Sequence, residues 1–366
     1  MRRMVLEGRT GTCEIAVGDG GRSSSSADRR SWSSILHPIG SSARHPEGSS
    51  VLHSLGASKL VIVTDETVRR LHGARFPEAP VVEIGQGEAS KTLTTVASLY
   101  ERFLELELDR SSFVLAIGGG IVCDVAAFAA STWMRGIPFG LVPTTLIAQA
   151  DAGIGGKNGV NLREYKNLVG VFRQPSFCLC DTSFLATLPD RELRCGLAEV
   201  IKHGAIAERA LFELVEEQAP ALLGRDRDAL DRVVSDSLRI KTAVVAVDET
   251  EQGERRKLNF GHTLGHALER IAGLPHGEAV SVGMVLAARL SVHRGMLESK
   301  EADRLEALLR RVGLPTSASL DTAAVMDAVR RDKKRQGERI HMALLAELGR
   351  AEIVEVGFDE IERSLR

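Results

Sequence analysis

Residues 112–134, SFVLAIGGGIVCDVAAFAASTWM, are apolar enough to suggest a membrane span, yet three consecutive glycines and Asp124 interrupt them. A spanning helix needs about 20 apolar residues without such breaks. A buried strand, a tight turn and a buried helix account for both interruptions. That unit constrains the fold because its neighbours repeat its rhythm. TCEIAVG (12–18) alternates like a strand, KLVIVT (59–64) is a short buried strand ended by Asp65, and a helix is predicted over 66–72. A strand at 81–85, an amphipathic helix at 91–108, the strand 113–120, the helix 121–132 and apolar runs at 139–145 and 176–182 continue the series. Strands alternating with helices predict a mostly parallel sheet covered on both faces.

Beyond about residue 185 the pattern changes. Helical periodicity runs through 190–206, 209–223, 226–247, 261–272, 278–295, 300–312 and 322–332, and strand signals return only at 339–355. A chain of 366 residues can bury two cores of this kind. The reading is therefore a domain at 1–185 and a helical one at 186–366. Residues 19–50, rich in Ser, Arg, Gly and His, are too polar to pack and read as a flexible insertion.

A net charge of −2 rules out a global basic field for nucleic acid or anionic lipid, so any anion site must be local. Cys13, Cys123, Cys178, Cys180 and Cys195 contain no CxxC pair, a usage that fits a reduced compartment. The first residues carry Arg2 and Arg3 but no apolar core of signal-peptide length, so the expected location is cytoplasmic, with neither nucleic-acid nor membrane partners.

Four stretches carry polar chemistry. The turn Gly118-Gly119-Gly120 opens a helix, where free N–H groups could meet a phosphate, though a tight turn alone would look the same. GEASK (87–91) puts Glu88 and Lys91 in a loop that ordinarily reads as surface. DAGIGGKNGVNLREYKN (151–167) reads as a glycine-rich loop with Asp151, Lys157, Lys166 and Asn167. GLAEVIKHG (196–204) sets Glu199 and Lys202 three apart on a helix, where a surface pair is the plain alternative. Finally, KLNFGHTLGHALERIAGLPHGE (257–278) holds His262, His266 and His276. His262 and His266 share a helix face and have metal-binding spacing, but the glutamate of HExxH is missing. His276 follows GLP in a loop, and Glu278 falls in the first turn of the next helix. Spacing leaves open which of these histidines, if any, meet a metal.

With these residues in view, the chain resembles the 3-dehydroquinate synthase family. The blocks that carry the resemblance follow in order from about residue 59 to 350: GGGIVCD, MRGIPFGLVPTTLIAQADAGIGGKNGVN, YKNLVG, TLPDRELRCGLAEVIKHG, DETEQGERRKLNFGHTLGHALE, HGEAVSVGM and DKKRQGERIHMALL. The resemblance implies an α/β N-terminal NAD-binding domain plus an all-α C-terminal metal-binding domain, with the active site in the cleft between them. It implies conversion of 3-deoxy-D-arabino-heptulosonate 7-phosphate to 3-dehydroquinate and phosphate, in the shikimate pathway. NAD oxidation, phosphate elimination, reduction, ring opening and aldol closure would follow one another without net redox. The implied metal, zinc or cobalt, falls on Glu199, His262 and His276. His266 then contacts substrate or phosphate.

The family pattern further matches Lys157, Asn167, Lys202, Lys241, Arg255, Asn259 and the Lys333-Lys334 pair to substrate. Asp151 and Glu251 match acidic positions in the site. Arg135 matches an arginine that reaches a neighbouring subunit's phosphate, which implies a homodimer. For NAD the matches are Asp65, Glu88, Lys91, Gly119, Gly120, Asp124, Thr144, Thr145, Lys157, Lys166 and Thr187. Departures are few: Cys123 and Ala127 stand where glycine is common, and Asn158 where threonine is usual. The rival readings are another sugar-phosphate cyclase and a metal-dependent alcohol or glycerol dehydrogenase.

Overall fold

A computed structural model describes residues 1–18, 55–163, 165–319, 321–330, 335–336 and 339–365. The insertion read at 19–50 and the lysines Lys333 and Lys334 lie outside the described residues. The chain forms two compact units, Met1–Leu188 and Pro189–Arg366.

In the first unit, β1 (Arg2–Gly8), β2 (Gly11–Val17), β3 (Leu60–Asp65), β4 (Val81–Ile84), β5 (Phe113–Gly118), β6 (Phe139–Pro143) and β9 (Phe177–Cys180) build one sheet in the order β1-β2-β9-β6-β5-β3-β4. Every pairing is parallel except β1 with β2. All six residues of β5 are buried, as a strand covered on both faces requires. Ile62, Leu115, Ile117 and Leu179 fill the core, where Phe113 stacks on Phe177 with centroids 5.8 Å apart. Among the described residues three helices complete the alternation: α1 (Glu66–His72), α2 (Leu93–Glu105) and α3 (Gly120–Thr132). Asp65 caps the first of them, its carboxylate accepting the Val68 N–H at 3.0 Å. Cys178 and Cys180 are buried in β9, as their alternation with apolar residues predicts.

The glycine-rich stretch 151–167 is not a plain loop. A π-helical turn, Ala148–Ala152, leads through 153–156 into a hairpin of β7 (Lys157–Leu162) and β8 (Tyr165–Phe172). Gly159 faces Gly170 across that ladder. A Cβ on Gly159 would lie 2.6 Å from the Val169 carbonyl oxygen, and one on Gly170 2.4 Å from that of Asn158. These two glycines therefore serve close strand approach.

The second unit contains α4 (Asp190–Ala207), α5 (Arg209–Leu223), α6 (Arg227–Val247), α7 (His262–Ala272), α8 (His276–His293), α9 (Ser299–Arg311), α10 (Thr322–Arg330) and α11 (Phe358–Ser364). The strand signal at 339–355 becomes β11 (Arg339–Glu347) and β12 (Arg350–Gly357), antiparallel to each other, with β10 (Arg335–Gln336) beside β11. His276 opens α8, with Pro275 at the N-cap, rather than lying in the loop before it. Glu278 is in the first turn, as expected. No helix among the described residues is long and apolar enough to cross a membrane.

Candidate active site

The helical unit gathers its polar side chains through close helix contacts. Gly277 touches α4: a Cβ there would fall 2.3 Å from the Cα of Cys195. Gly283 touches the start of α7, where a Cβ would fall 2.0 Å from the Gly261 carbonyl oxygen. The Arg191 guanidinium also grips Glu278 through two bonds of 2.5 and 2.9 Å, holding the N-terminal end of α8 against α4. These contacts bring Glu199 on α4, His262 on α7 and His276 on α8 together, their ligand atoms all within 4.8 Å of one another.

Glu199 is fully buried and divides its two oxygens. Oε2 accepts from the Lys202 ammonium at 2.5 Å. Oε1 faces His276 Nε2 at 3.1 Å and His262 Nε2 at 3.6 Å. The opposite nitrogen of each ring is already engaged. His262 Nδ1 lies 3.2 Å from the Phe260 carbonyl oxygen, which can only accept, so that nitrogen carries the proton. His276 Nδ1 lies 3.3 Å from the Glu269 carboxylate. Tying down Nδ1 in this way is how proteins direct an imidazole Nε2 lone pair at a metal. Burial, then the nearby Lys202 charge, push His262 well below its ordinary range, so its ring is neutral. Burial opposes charging His276 too, but hydrogen bonds to Glu199 and Glu269 outweigh it and raise that ring to about 10, so the ring must give up its Nε2 proton when it takes a metal. One carboxylate and two imidazoles form a nitrogen–oxygen donor set that fits zinc or cobalt.

A second trio, His266, Glu269 and His276, meets the same distance limit through the same His276 ring. His266 is exposed, however, and its ring stands 5.3 Å from that of His262. Glu269 was not among the residues the sequence singled out. Its signal was available: it follows His262 by seven positions, two helical turns, on the same face.

Glu199 and Lys202 do not form the surface pair that i,i+3 spacing alone would allow. Lys202, Lys241 and Arg255 are 1%, 5% and 2% exposed. They stand on α4, α6 and a 3-10 turn (Glu254–Asn259), three mutually packed elements. Burying three cations is expensive unless anions meet them. Arg255 donates to the Glu249 carbonyl oxygen at 2.5 Å, and Asn259 donates to the Glu251 carboxylate.

In the first unit, Gly119 and Gly120 open α3, and the Thr144 N–H donates to the Gly118 carbonyl at 2.9 Å, bringing Thr144 and Thr145 beside the turn. Lys91, only 5% exposed, forms an ion pair with Asp124 rather than lying on the surface. Asn161, which the sequence reading passed over, joins several expected residues. Its side chain donates to Glu88 at 2.7 Å and accepts the Asn167 N–H at 2.9 Å, while its N–H donates to the Lys91 carbonyl at 2.9 Å. The Lys166 ammonium is 4.0 Å from the same Glu88 carboxylate. Lys157 is exposed at the start of β7, and Asp151 half-buried in the π-turn. Thr187 pairs with His72 at 2.8 Å, and Asp65 spends one carboxylate oxygen on its helix cap.

A parallel sheet ending in a glycine turn, together with a helical unit presenting a carboxylate–imidazole trio and buried cations, defines a metal- and nucleotide-using α/β-plus-helical class of enzyme. Two family models match consecutive segments: 3-dehydroquinate synthase N-terminal over residues 81–195, and 3-dehydroquinate synthase C-terminal over 196–335. The chain belongs to the 3-dehydroquinate synthase family. A 3-dehydroquinate synthase of Synechococcus sp. is 44% identical over 315 residues, covering 81% of this chain and 85% of the relative. Among solved structures, 2-epi-5-epi-valiolone synthase from Streptomyces hygroscopicus, with NAD+ and Zn2+ bound, is 32% identical with a TM-score of 0.80, covering 87% of this chain and 92% of that one. A 2-deoxy-scyllo-inosose synthase complexed with carbaglucose-6-phosphate, NAD+ and Co2+ is 26% identical with a TM-score of 0.83, covering 100% and 99%.

Proposed function

We propose that the protein is a 3-dehydroquinate synthase, a lyase that converts 3-deoxy-D-arabino-heptulosonate 7-phosphate to 3-dehydroquinate and phosphate. The observation that carries the reading is the pairing of Glu199, faced by two imidazole Nε2 atoms, with the buried cations Lys202, Lys241 and Arg255. When bound, NAD+ supplies reversible hydride transfer and Zn2+ or Co2+ supplies Lewis acidity toward the substrate's hydroxyls. Glu199, His262 and His276 hold the ion. Lys202 fixes the Glu199 carboxylate and lends positive charge beside it. Lys241 and Arg255 meet the substrate's carboxylate and phosphate, with Lys157, Asn167, Asn259 and His266 as further contacts. Asp151 and Glu251 orient neighbouring polar groups. Gly119 and Gly120 let the dinucleotide phosphates approach the start of α3. Thr144, Thr145, Thr187, Asp65, Glu88, Lys91, Asp124, Lys157 and Lys166 complete that side.

The test is phosphate release from the heptulosonate phosphate with catalytic NAD+ and Zn2+, followed alongside absorbance at 340 nm. The expected result is release that EDTA stops, with no accumulating NADH. Net NADH production with an alcohol, and no phosphate, would reject the reading in favour of a dehydrogenase. Release only from a different sugar phosphate would move the protein to another cyclase activity.

We also propose a homodimer in which Arg135 serves the partner subunit's site. Support comes from the β7–β8 hairpin, where Leu162, Tyr165, Leu168 and Phe172 are all exposed. Solitary apolar surface residues need no explanation, but four on one short ribbon suit a covered face. Arg135 itself is exposed in left-handed backbone, beside a Gly136 packed close to Arg173 just past the end of β8. Arg135→Ala and His276→Ala should each be inactive alone. Co-expressed, they should recover about a quarter of the activity, because half the random dimers carry one intact site. No recovery from a verified heterodimer would exclude the trans role.

A further inference from the structure

Helix α6 ends at Val247, and the six residues 248–253 must turn the chain into the short helix that carries Arg255 and Asn259. One side chain organises that turn. Asp248 Oδ1 accepts the Gln252 N–H at 2.9 Å, while Oδ2 accepts those of Gly253 at 2.7 Å and Arg255 at 3.1 Å. Burial would raise this carboxyl, but its backbone amide bonds outweigh that and hold it below the usual carboxylate range. An aspartate bonding the backbone ahead of it is an ordinary turn device. Gathering donors from residues four, five and seven positions ahead is more than a simple turn needs.

The residues that this clasp fixes carry chemistry. Glu251 sits inside it in left-handed backbone (φ 63°), an unfavourable conformation for a glutamate that the surrounding bonds must maintain. In that conformation its carboxylate receives the Asn259 amide. Arg255 is held by its own N–H on Asp248 and by its guanidinium on Glu249. Lys241 stands on α6, seven residues before Asp248.

We infer that Asp248 is a positioning residue for substrate binding: its carboxylate sets the backbone that aims Arg255 and Glu251. The inference rests on the functional reading above. A positional error of about 1 Å in such groups can cost on the order of 100-fold in rate.

The experiment compares wild type, Asp248→Asn, Arg255→Ala and the double variant. Asparagine keeps the size but places an NH2 where amide donors converge. The expected result is a roughly 10- to 100-fold loss in kcat/KM for the heptulosonate phosphate, mostly as a raised KM. Zinc affinity by chelator competition and NAD+ affinity should stay within about twofold, since neither ligand set includes the turn. In the Arg255→Ala background the same substitution should cost several-fold less than in wild type, because the part acting through Arg255 is already gone and only the part acting through Glu251 remains. Hydrogen exchange should accelerate at Gln252, Gly253 and Arg255. Faster exchange with unchanged kinetics, or full additivity with Arg255→Ala, would overturn the role. Wild type that releases no phosphate would remove the functional reading and this role together, whereas active wild type with an unaffected variant would remove the role alone. Asp248→Ser, which retains one acceptor oxygen, takes the place of asparagine if that variant melts, with the same outcomes.

Discussion

Replacing Glu199 with glutamine is expected to abolish tight metal binding and to lower phosphate release by roughly 1,000-fold. A Lewis acid contributes several kcal/mol at the transition state, and ~4 kcal/mol corresponds to about that factor. Glutamine keeps the side chain's shape, so the helices should remain in place. It removes the negative charge that both Nε2 atoms and the Lys202 ammonium face.

The same substitution should also destabilise the helical unit. Lys202 is buried 2.5 Å from the carboxylate, and breaking a buried ion pair from one side costs about 3–5 kcal/mol. For a unit of this size that is on the order of 10 °C in Tm. The two effects can be separated. In Glu199→Gln/Lys202→Met both charges are gone, so much of the stability should return, because neutral replacement of a buried pair is often harmless. Metal binding and phosphate release should not return. Calorimetry gives Tm, and chelator competition gives metal affinity. A double variant that binds zinc as wild type does would exclude Glu199 as a ligand.

The residues that made this site hard to read are the ones that join distant segments. Periodicity locates α5 and α6, which bury apolar faces recurring every third or fourth residue, whereas α4 and α8 are buried nearly all round. It also locates β3, β5 and β6, which are continuous apolar runs. It misses β1, because RRMVLEG offers little alternation to set it apart, and it misreads 157–172, because glycines and lysines there resemble a loop. The histidines show the same limit. Spacing along one helix pairs His262 with His266, whereas helix packing turns His262 and His276 toward Glu199, 63 residues before His262 in the chain. Nothing within α4 distinguishes a buried Glu199–Lys202 pair from a surface one until the helices packed over it are known. The family resemblance supplied those long-range pairings, and the geometry gives a physical reason for them.

If helix packing assembles the metal trio, then adding a single methyl group at Gly277 should disassemble it. A Cβ there would lie 2.3 Å from the Cα of Cys195 and 2.4 Å from its carbonyl oxygen. Both are backbone atoms on α4, so no side chain can swing away to make room. Helix α8 must retreat from α4 by about 1 Å, at an overpacking cost of ~3 kcal/mol. His276 is the neighbouring residue, and its 3.1 Å approach to Glu199 would open by a similar distance. Gly277→Ala is therefore expected to weaken zinc binding by at least about tenfold and to lower phosphate release by about 100-fold, with every proposed ligand still present. Gly295→Ala, just beyond α8, is the control. Gly295 has left-handed backbone (φ 67°) and open space around it, so alanine there should cost only about 1 kcal/mol of backbone strain and leave zinc affinity unchanged. A Gly277→Ala protein that loses stability but binds zinc normally would show that the α4–α8 spacing does not hold the trio. The placement of His276 would then have to come from its bond to Glu269 and the packing of α8 on α7.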